Sequence, residues 1–310
     1  MKLTELETTA RALVAPGKGI LAADESHGTI AKRFKAIGVE STEENRRAYR
    51  ETLFTTPGLG DFISGVILFD ETIRQPAADG TSFVEVLRRQ GIIPGIKVDK
   101  GVQPLAGFPG DKVTEGLDGL RERLAEYAQR GARFTKWRAV IAIGDGLPSR
   151  TCLATHAHLL ARFAALSQEA GLVPVVEPEV LMDGAHTIAR HFEVTEAALH
   201  EVFAALIEHR VRLEAMLLKP NMVLAGKECP TQAGVAEVAE QTMRCLKRGV
   251  PAAVPGLVFL SGGQSDVLAT EHLNALNQLG RAPWELSFSF GRALQAPALK
   301  AWQGQPGQAV

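Results

Sequence analysis

Charged residues of both signs fall at or near the ends of short apolar runs: Asp24 with Glu25, Lys97 with Asp99, Lys136 with Arg138, Glu177 with Glu179, and Lys219. Residues two apart in a strand share a face, so Lys136 and Arg138 point one way and Trp137 the other, and Glu177 and Glu179 share a face about Pro178. A single charge at a strand end is most often a solvated rim or a simple ion pair, and that reading suits Asp99 and Arg138 taken singly. Five such ends are different, because gathering charges without compensation costs roughly several kcal/mol per buried ion. Acids and bases drawn together in this way can exchange protons with a bound molecule.

A second pattern suits anions. Ser261-Gly262-Gly263-Gln264-Ser265 follows one apolar run, and Phe290-Gly291-Arg292 follows the next and opens a helical pattern. Glycines let backbone N–H groups approach an anion, a helix N-terminus favours negative charge, and arginine adds a planar fork of donors. Alone, Ser-Gly-Gly is an ordinary turn; with Gly291 and Arg292 in the neighbouring loop, the two segments read as a phosphate site.

The elements that must position these residues are strands alternating with helices. Strands are predicted at Ile20–Asp24, Gly65–Phe69, Gly95–Asp99, Arg133–Arg138, Val173–Glu177, Glu214–Lys219, Gly256–Ser261 and Glu285–Ser289. Helical periodicity fits residues 81–90, 151–170, 231–248, 264–279 and 291–302. Further helix signals are a capping box at Ser41 and Glu44, a Leu117/Leu120/Leu124 stripe ending near Gly131, and a Leu199/Val202/Phe203/Leu206 stripe beginning after Thr195. Eight βα units in a chain slightly above the usual ~250 residues predict an α/β fold, a closed (β/α)8 TIM barrel. An open doubly wound sheet is second, since no G-x-G-x-x-G or P-loop is present. Pro178 and Pro220 lack a ladder donor and so place their neighbours at C-terminal strand ends, which converge on one mouth.

The 310 residues are 45% hydrophobic and 22% charged, with no linker-like stretch. A single barrel domain over 1–310 follows, with a short tail from about 303. The net charge of -1 gives no field for nucleic acid or an anionic membrane, so any anion site is local. The first residues lack the apolar core of a signal peptide, and a cytoplasmic location is expected. Cys152, Cys229 and Cys245 are an odd number at wide spacing, which argues against a disulfide framework and a zinc knuckle, and they read as ordinary buried or half-buried thiols. His156 and His158 point to different sides of a helix, no histidine pair has metal-ligand spacing, and no metal is expected.

Seven stretches, LAADES (21–26), GIKVDKG (95–101), KWR (136–138), VEPE (176–179), LLKPNM (217–222), LSGGQS (260–265) and FGRALQ (290–295), together resemble the class I, Schiff-base-forming fructose-1,6-bisphosphate aldolases. The similarity runs from about residue 17 to Trp302 in order and spacing. It implies that Lys219 attacks the ketone carbonyl and that Glu177 is the main general acid/base. Glu179 would support Glu177, Asp24 would hold or share the C4-hydroxyl proton, and Lys136 would stabilise the carbinolamine and orient the sugar. Ser261, Gly262, Gly263, Gly291 and Arg292 match the site for the ketone-side phosphate. Ser26, Thr29, Lys97 and Arg138 match that for the far phosphate, with Arg33 and Arg46 at its rim. The resemblance further implies a phosphorylated sugar as ligand, no cofactor, a homotetramer, and work in glycolysis and gluconeogenesis.

The chemistry of lysine fits these roles. A free amine with a pKa of about 10.4 is protonated at neutral pH, so a nucleophilic lysine needs burial or a second cation, which Lys136 can supply. The iminium then acts as the electron sink that lets C3–C4 break without a metal. Two departures stand out. Relatives carry a longer C-terminal tail that often ends in a tyrosine, whereas QGQPGQAV alone follows Trp302 here; Thr29 replaces a common serine but keeps the hydroxyl. The rival readings are a metal-dependent aldolase, which needs clustered histidines, another Schiff-base enzyme with one phosphate site, and a non-catalytic barrel, in which Asp24, Glu177 or Lys219 would be lost.

Overall fold

The computed structural model describes residues 3–305, and residues 306–310 of the expected tail lie outside them. Its strands are β1 (Gly19–Ala22), β2 (Ile63–Leu68), β3 (Ile93–Lys97), β4 (Val102–Pro104), β5 (Lys112–Thr114), β6 (Phe134–Ile141), β7 (Val173–Val180), β8 (Leu217–Leu218), β9 (Gly256–Phe259) and β10 (Glu285–Phe290). Its helices are α1 (Leu3–Leu13), α2 (His27–Lys35), α3 (Glu43–Phe54), α4 (Leu59–Phe62), α5 (Asp70–Ile73), α6 (Phe83–Arg89), α7 (Leu120–Gln129), α8 (Arg150–Glu169), α9 (Ile188–Glu208), α10 (Val235–Gly249), α11 (Asp266–Gln278) and α12 (Arg292–Trp302). Eight parallel strands close in the order β1-β10-β9-β8-β7-β6-β3-β2, the expected (β/α)8 barrel, while β4 and β5 form an antiparallel hairpin beside it.

The two-residue period of a strand divides the core in two. Outward side chains such as Trp137, Val176, Leu218 and Phe259 pack under the helices, and Trp137 lies against Phe163 of α8 with ring centres 5.7 Å apart. Inward side chains Ile20, Ala22, Ile67, Phe134, Val173, Val175, Leu217 and Val258 fill the lower barrel together with Leu6, Ala10 and Leu13 of α1. Two residues further along four of these strand paths, the inward positions become Asp24, Lys136, Glu177 and Lys219. Strand alternation thus lays an ionic layer on an apolar one.

Several boundaries differ from expectation. β6 and β7 each run three residues further, so Lys136, Arg138, Glu177 and Glu179 lie inside strands and not at their ends. Pro178 is likewise within β7, opposite Ala139. Its missing N–H faces β8, which has already ended, and there the next donor, Val180 N–H, is taken by Asn221 Oδ1 at 3.0 Å. The sixth strand is not Glu214–Lys219 but a 3-10 turn, Leu213–Ala215, followed by the two-residue β8. Asp24, Asp99 and Ser261 each lie two residues beyond their strands.

Helix starts also moved. Thr42, not Ser41, caps α3 and accepts from Asn45 N–H at 3.1 Å. α9 begins at Ile188 under Thr187, and Thr195 sits inside it, because its hydroxyl is used by Asn221 at 3.2 Å. Leu117 precedes α7 instead of opening it. α1 was not anticipated. The three cysteines are buried and free.

Candidate active site

The carboxyl ends of the barrel strands surround a cavity of about 910 Å³, within the range of small-molecule sites. Asp24, Lys136, Glu177 and Lys219 lie at its floor, all buried. Glu177 is central: its Oε1 is 3.2 Å from Lys219 Nζ and its Oε2 is 2.9 Å from Lys136 Nζ, the latter without the angles of a hydrogen bond. Lys136 also donates to Asp24 Oδ2 at 2.9 Å. Two amines and two carboxyl groups therefore alternate in one chain of contacts.

All four are buried, yet the charges around them move the two amines in opposite directions. Burial is the largest influence on Lys219 and pulls its pKa down; Lys136 adds to this, while Glu177 and Asp24 oppose it, and the net shift is down. Burial also acts to lower Lys136, but Asp24, Glu177 and Asp99 outweigh it and hold that amine charged. For Asp24, burial works upward and is overcome by Lys136, Lys219 and Lys97. Glu177 is likewise held below the usual carboxylate range, against burial, by Lys136, Lys219 and Arg138. The arrangement offers one amine inclined to neutrality next to a permanent cation and two bases.

Both expected phosphate regions reach the cavity. On one side, Ser261, Gly262 and Gly263 follow β9 and Gly291 and Arg292 follow β10. Gly262 and Gly263 have φ of 59° and 91°, a left-handed turn that only glycine adopts freely. On the β1 side of the mouth, next to β10 in the barrel, Ser26 and Thr29 stand at the start of α2 with hydroxyls 3.2 Å apart. Lys97 donates to Asp99 Oδ1 at 2.6 Å, and Arg138 is paired with Glu179. Asp99 and Arg138 thus make the ion pairs that single strand-end charges suggested, although Arg138 also lines the cavity. Arg33 is held by Glu25 and has a guanidinium nitrogen 3.9 Å from where a Cβ on Gly291 would sit, which places it near the glycine side of the mouth. Arg46 does not line the cavity; it bonds both oxygens of Glu71, at 2.7 and 2.6 Å.

Four contributors were not singled out from the sequence. Ser289 lines the cavity with a buried hydroxyl that has no hydrogen-bond partner among the described residues; its one signal was its place just before Phe290-Gly291-Arg292. Lys227 also lines the cavity, from a stretch without motif character. Asn221 and His191 lie behind the site; Asn221 falls in the LLKPNM stretch but no role was read for it, and His191 carries no local signal, because the contacts that give them their parts reach residues 26 to 41 and 11 to 33 positions away.

A family model described as fructose-bisphosphate aldolase class-I matches residues 5–310. A probable fructose-bisphosphate aldolase class 1 of Xanthomonas campestris pv. campestris is 63% identical over 302 residues, 97% of this chain and 90% of that protein. The fructose-bisphosphate aldolase of Dictyostelium discoideum is 55% identical over 304 residues, 97% of this chain and 85% of that one. A solved structure of fructose-bisphosphate aldolase from Plasmodium falciparum superimposes with a TM-score of 0.97 at 52% identity, over 99% of this chain and 89% of that chain.

Proposed function

The chain belongs to the class-I fructose-bisphosphate aldolase family, and from that premise we propose that it reversibly cleaves fructose 1,6-bisphosphate to dihydroxyacetone phosphate and glyceraldehyde 3-phosphate through a Schiff base on Lys219. The observation that carries the reading is the Lys219–Glu177–Lys136–Asp24 chain of contacts, with its one amine biased toward neutrality.

Neutral Lys219 adds to the C2 ketone, and the carbinolamine forms beside the Lys136 ammonium, which steadies its oxygen. Glu177, within reach of both lysines, takes up and returns protons as water leaves and the iminium forms. Asp24 and Glu177 are the bases available to the C4 hydroxyl. When that proton is removed, the C3–C4 electrons pass to the iminium, leaving an enamine on Lys219 and releasing the aldehyde half. Protonation at C3 and hydrolysis then free the ketone half and restore the amine. Glu179 supports Glu177 from the same face of β7, paired with Arg138 until the phosphate arrives.

The glycine loops and Arg292 hold the ketone-side phosphate; Ser26, Thr29, Lys97 and Arg138 receive the other, with Lys97 and Arg138 exchanging their carboxylates for it. The wider reading, a metal-independent homotetramer acting in the cytoplasm within glycolysis and gluconeogenesis, rests on family membership alone.

Borohydride added with dihydroxyacetone phosphate is expected to fix one adduct per chain, located by peptide mass spectrometry at Lys219, and Lys219→Met is expected to abolish both adduct and turnover. An adduct at another lysine, or turnover retained in Lys219→Met, would overturn the assignment.

A further inference from the structure

The sequence motifs do not single out Lys227, yet it reaches the same corner of the cavity as the glycine loops. Beyond Lys219 the chain runs without regular structure to a turn that is pinned to the segment after β7. Gly226 N–H donates to His186 O at 2.8 Å, Lys227 N–H to Met182 O at 2.8 Å, and Glu228 N–H to Gly184 O at 3.0 Å. A Cβ at Gly226 would lie 2.1 Å from Gly184 O, so this close approach of two backbones requires glycine.

From that anchor the Lys227 side chain enters the mouth. Its Nζ lies 3.0 Å from the point a Cβ on Gly263 would occupy, and Arg292 Nη1 lies 3.9 Å from the same point. Two cations from different strand ends thus converge on the open face of Gly263, where a side chain of any other residue would stand. Like charges at such range repel unless an anion is shared between them. The partial compensation present is weak: Lys227 is 3.0 Å from Asp183 Oδ1, but the two side chains are 45% and 65% exposed, so water screens the pair. Arg292 has no carboxylate ion pair among the described residues.

We infer that Lys227 is a further phosphate-binding residue, whose ammonium leaves Asp183 and closes opposite Arg292 on the ketone-side phosphate. It sets affinity for that group and separates phosphorylated ketones from unphosphorylated ones, while Asp183 holds the lysine in reserve when the site is empty. A lysine on a pinned turn suits this part, because its compact charge swings between two anions without the planar match that arginine needs. The inference rests on the aldolase reading and deepens it.

The test is borohydride trapping at Lys219 as a function of ketone concentration, with dihydroxyacetone phosphate and with unphosphorylated dihydroxyacetone. Lys227→Met is expected to raise the half-saturating concentration of the phosphorylated ketone about tenfold, a change the size of one lost charged contact, and to leave that of the unphosphorylated ketone unchanged. Lys227→Arg should stay within about threefold of the native chain, since it keeps the charge. Asp183→Asn should lower the half-saturating concentration of the phosphorylated ketone about two- to threefold by removing the competing anion. If Lys227 only staples two loops, Asp183→Asn breaks the same ion pair and weakens both ketones, as Lys227→Met also would; either result overturns the inference. So does unchanged saturation in Lys227→Met. Failure of the native chain to form any adduct defeats the Schiff-base reading itself, which separates the two.

Discussion

Two lysines, both buried and facing the same carboxylate, have their amine pKa values moved in opposite directions. Lys136 touches Asp24 and Glu177, and charge wins; Lys219 touches Glu177 alone, and burial wins. The second carboxylate is what separates the two amines, and in the proposed mechanism it leaves Lys219 as the nucleophile. Removing the cation at Lys136 takes away one of the influences that depress Lys219 and leaves the carboxylates to act on Lys219 alone. Lys136→Ala therefore raises the Lys219 pKa toward the ordinary value of about 10.4. Since only the neutral amine adds to the ketone, the rising limb of kcat/KM against pH moves to higher pH, and the loss of rate is larger at pH 7 than at pH 9. A limb that keeps its position would show that Lys136 does not activate Lys219. The resemblance named Lys219 as the amine to be activated and Lys136 as its cation; what the sequence did not show is the uneven sharing of carboxylates, with Asp24 and Glu177 at Lys136 and Glu177 at Lys219.

Among elements, the decisive relation is between β7, which carries Glu177, and the segment that carries Lys219. β8 contributes only two residues of ladder, so side chains of α9 and the chain after β8 complete the junction. His191 takes part from both ring nitrogens: Nδ1 accepts from Leu224 N–H at 3.3 Å, which leaves Nε2 to donate to Val180 O at 3.3 Å. The ring is buried and stacks on His186 at 5.2 Å; burial, then the neighbouring His186, pull its pKa down to about 4. His191→Leu strands two backbone groups and is expected to cost about 2–4 kcal/mol at pH 7. The sign with pH follows from linkage. Between about 6.5 and 4 the unfolded histidine binds a proton that the folded one refuses, so native stability falls as pH falls, by up to about 1.4 kcal/mol per pH unit. The leucine variant lacks that proton, and its deficit against the native chain shrinks from pH 7 to pH 5. Urea unfolding at the two pH values measures this, and an equal deficit at both would rule the neutral bridge out.

For the whole molecule, the ionic layer exists because the layer below it is dry and closed. α1 caps the lower barrel, and Leu13 packs there fully buried among Ile20, Phe134 and Val175. Closure leaves the barrel no free edge at which part of the sheet can separate, so we propose that residues 1–310 act as one cooperative domain. Leu13→Ala is expected to remove about 2–5 kcal/mol and to shift the entire transition, with the far-ultraviolet signal and Lys219 trapping lost together. Barrel signal persisting after the site is lost would divide the chain into separate units.

The residues alone were enough to determine the barrel, the acids and bases at its mouth and the glycine loops, because strand period, βα alternation and positive-φ turns are local properties written in neighbouring residues. They misplaced the ends of β6, β7 and β8, since where a ladder stops depends on the partner strand: Pro178 is tolerated because the β7–β8 ladder ends at Val176 and Leu218, before a donor from position 178 would be needed. Only the closed structure assigned Arg46 to Glu71, brought Lys227 beside Gly263 and set His191 between Val180 and Leu224. Those contacts join residues between 11 and 36 positions apart, and the energy that fixes them comes from packing across the barrel, which no local pattern encodes.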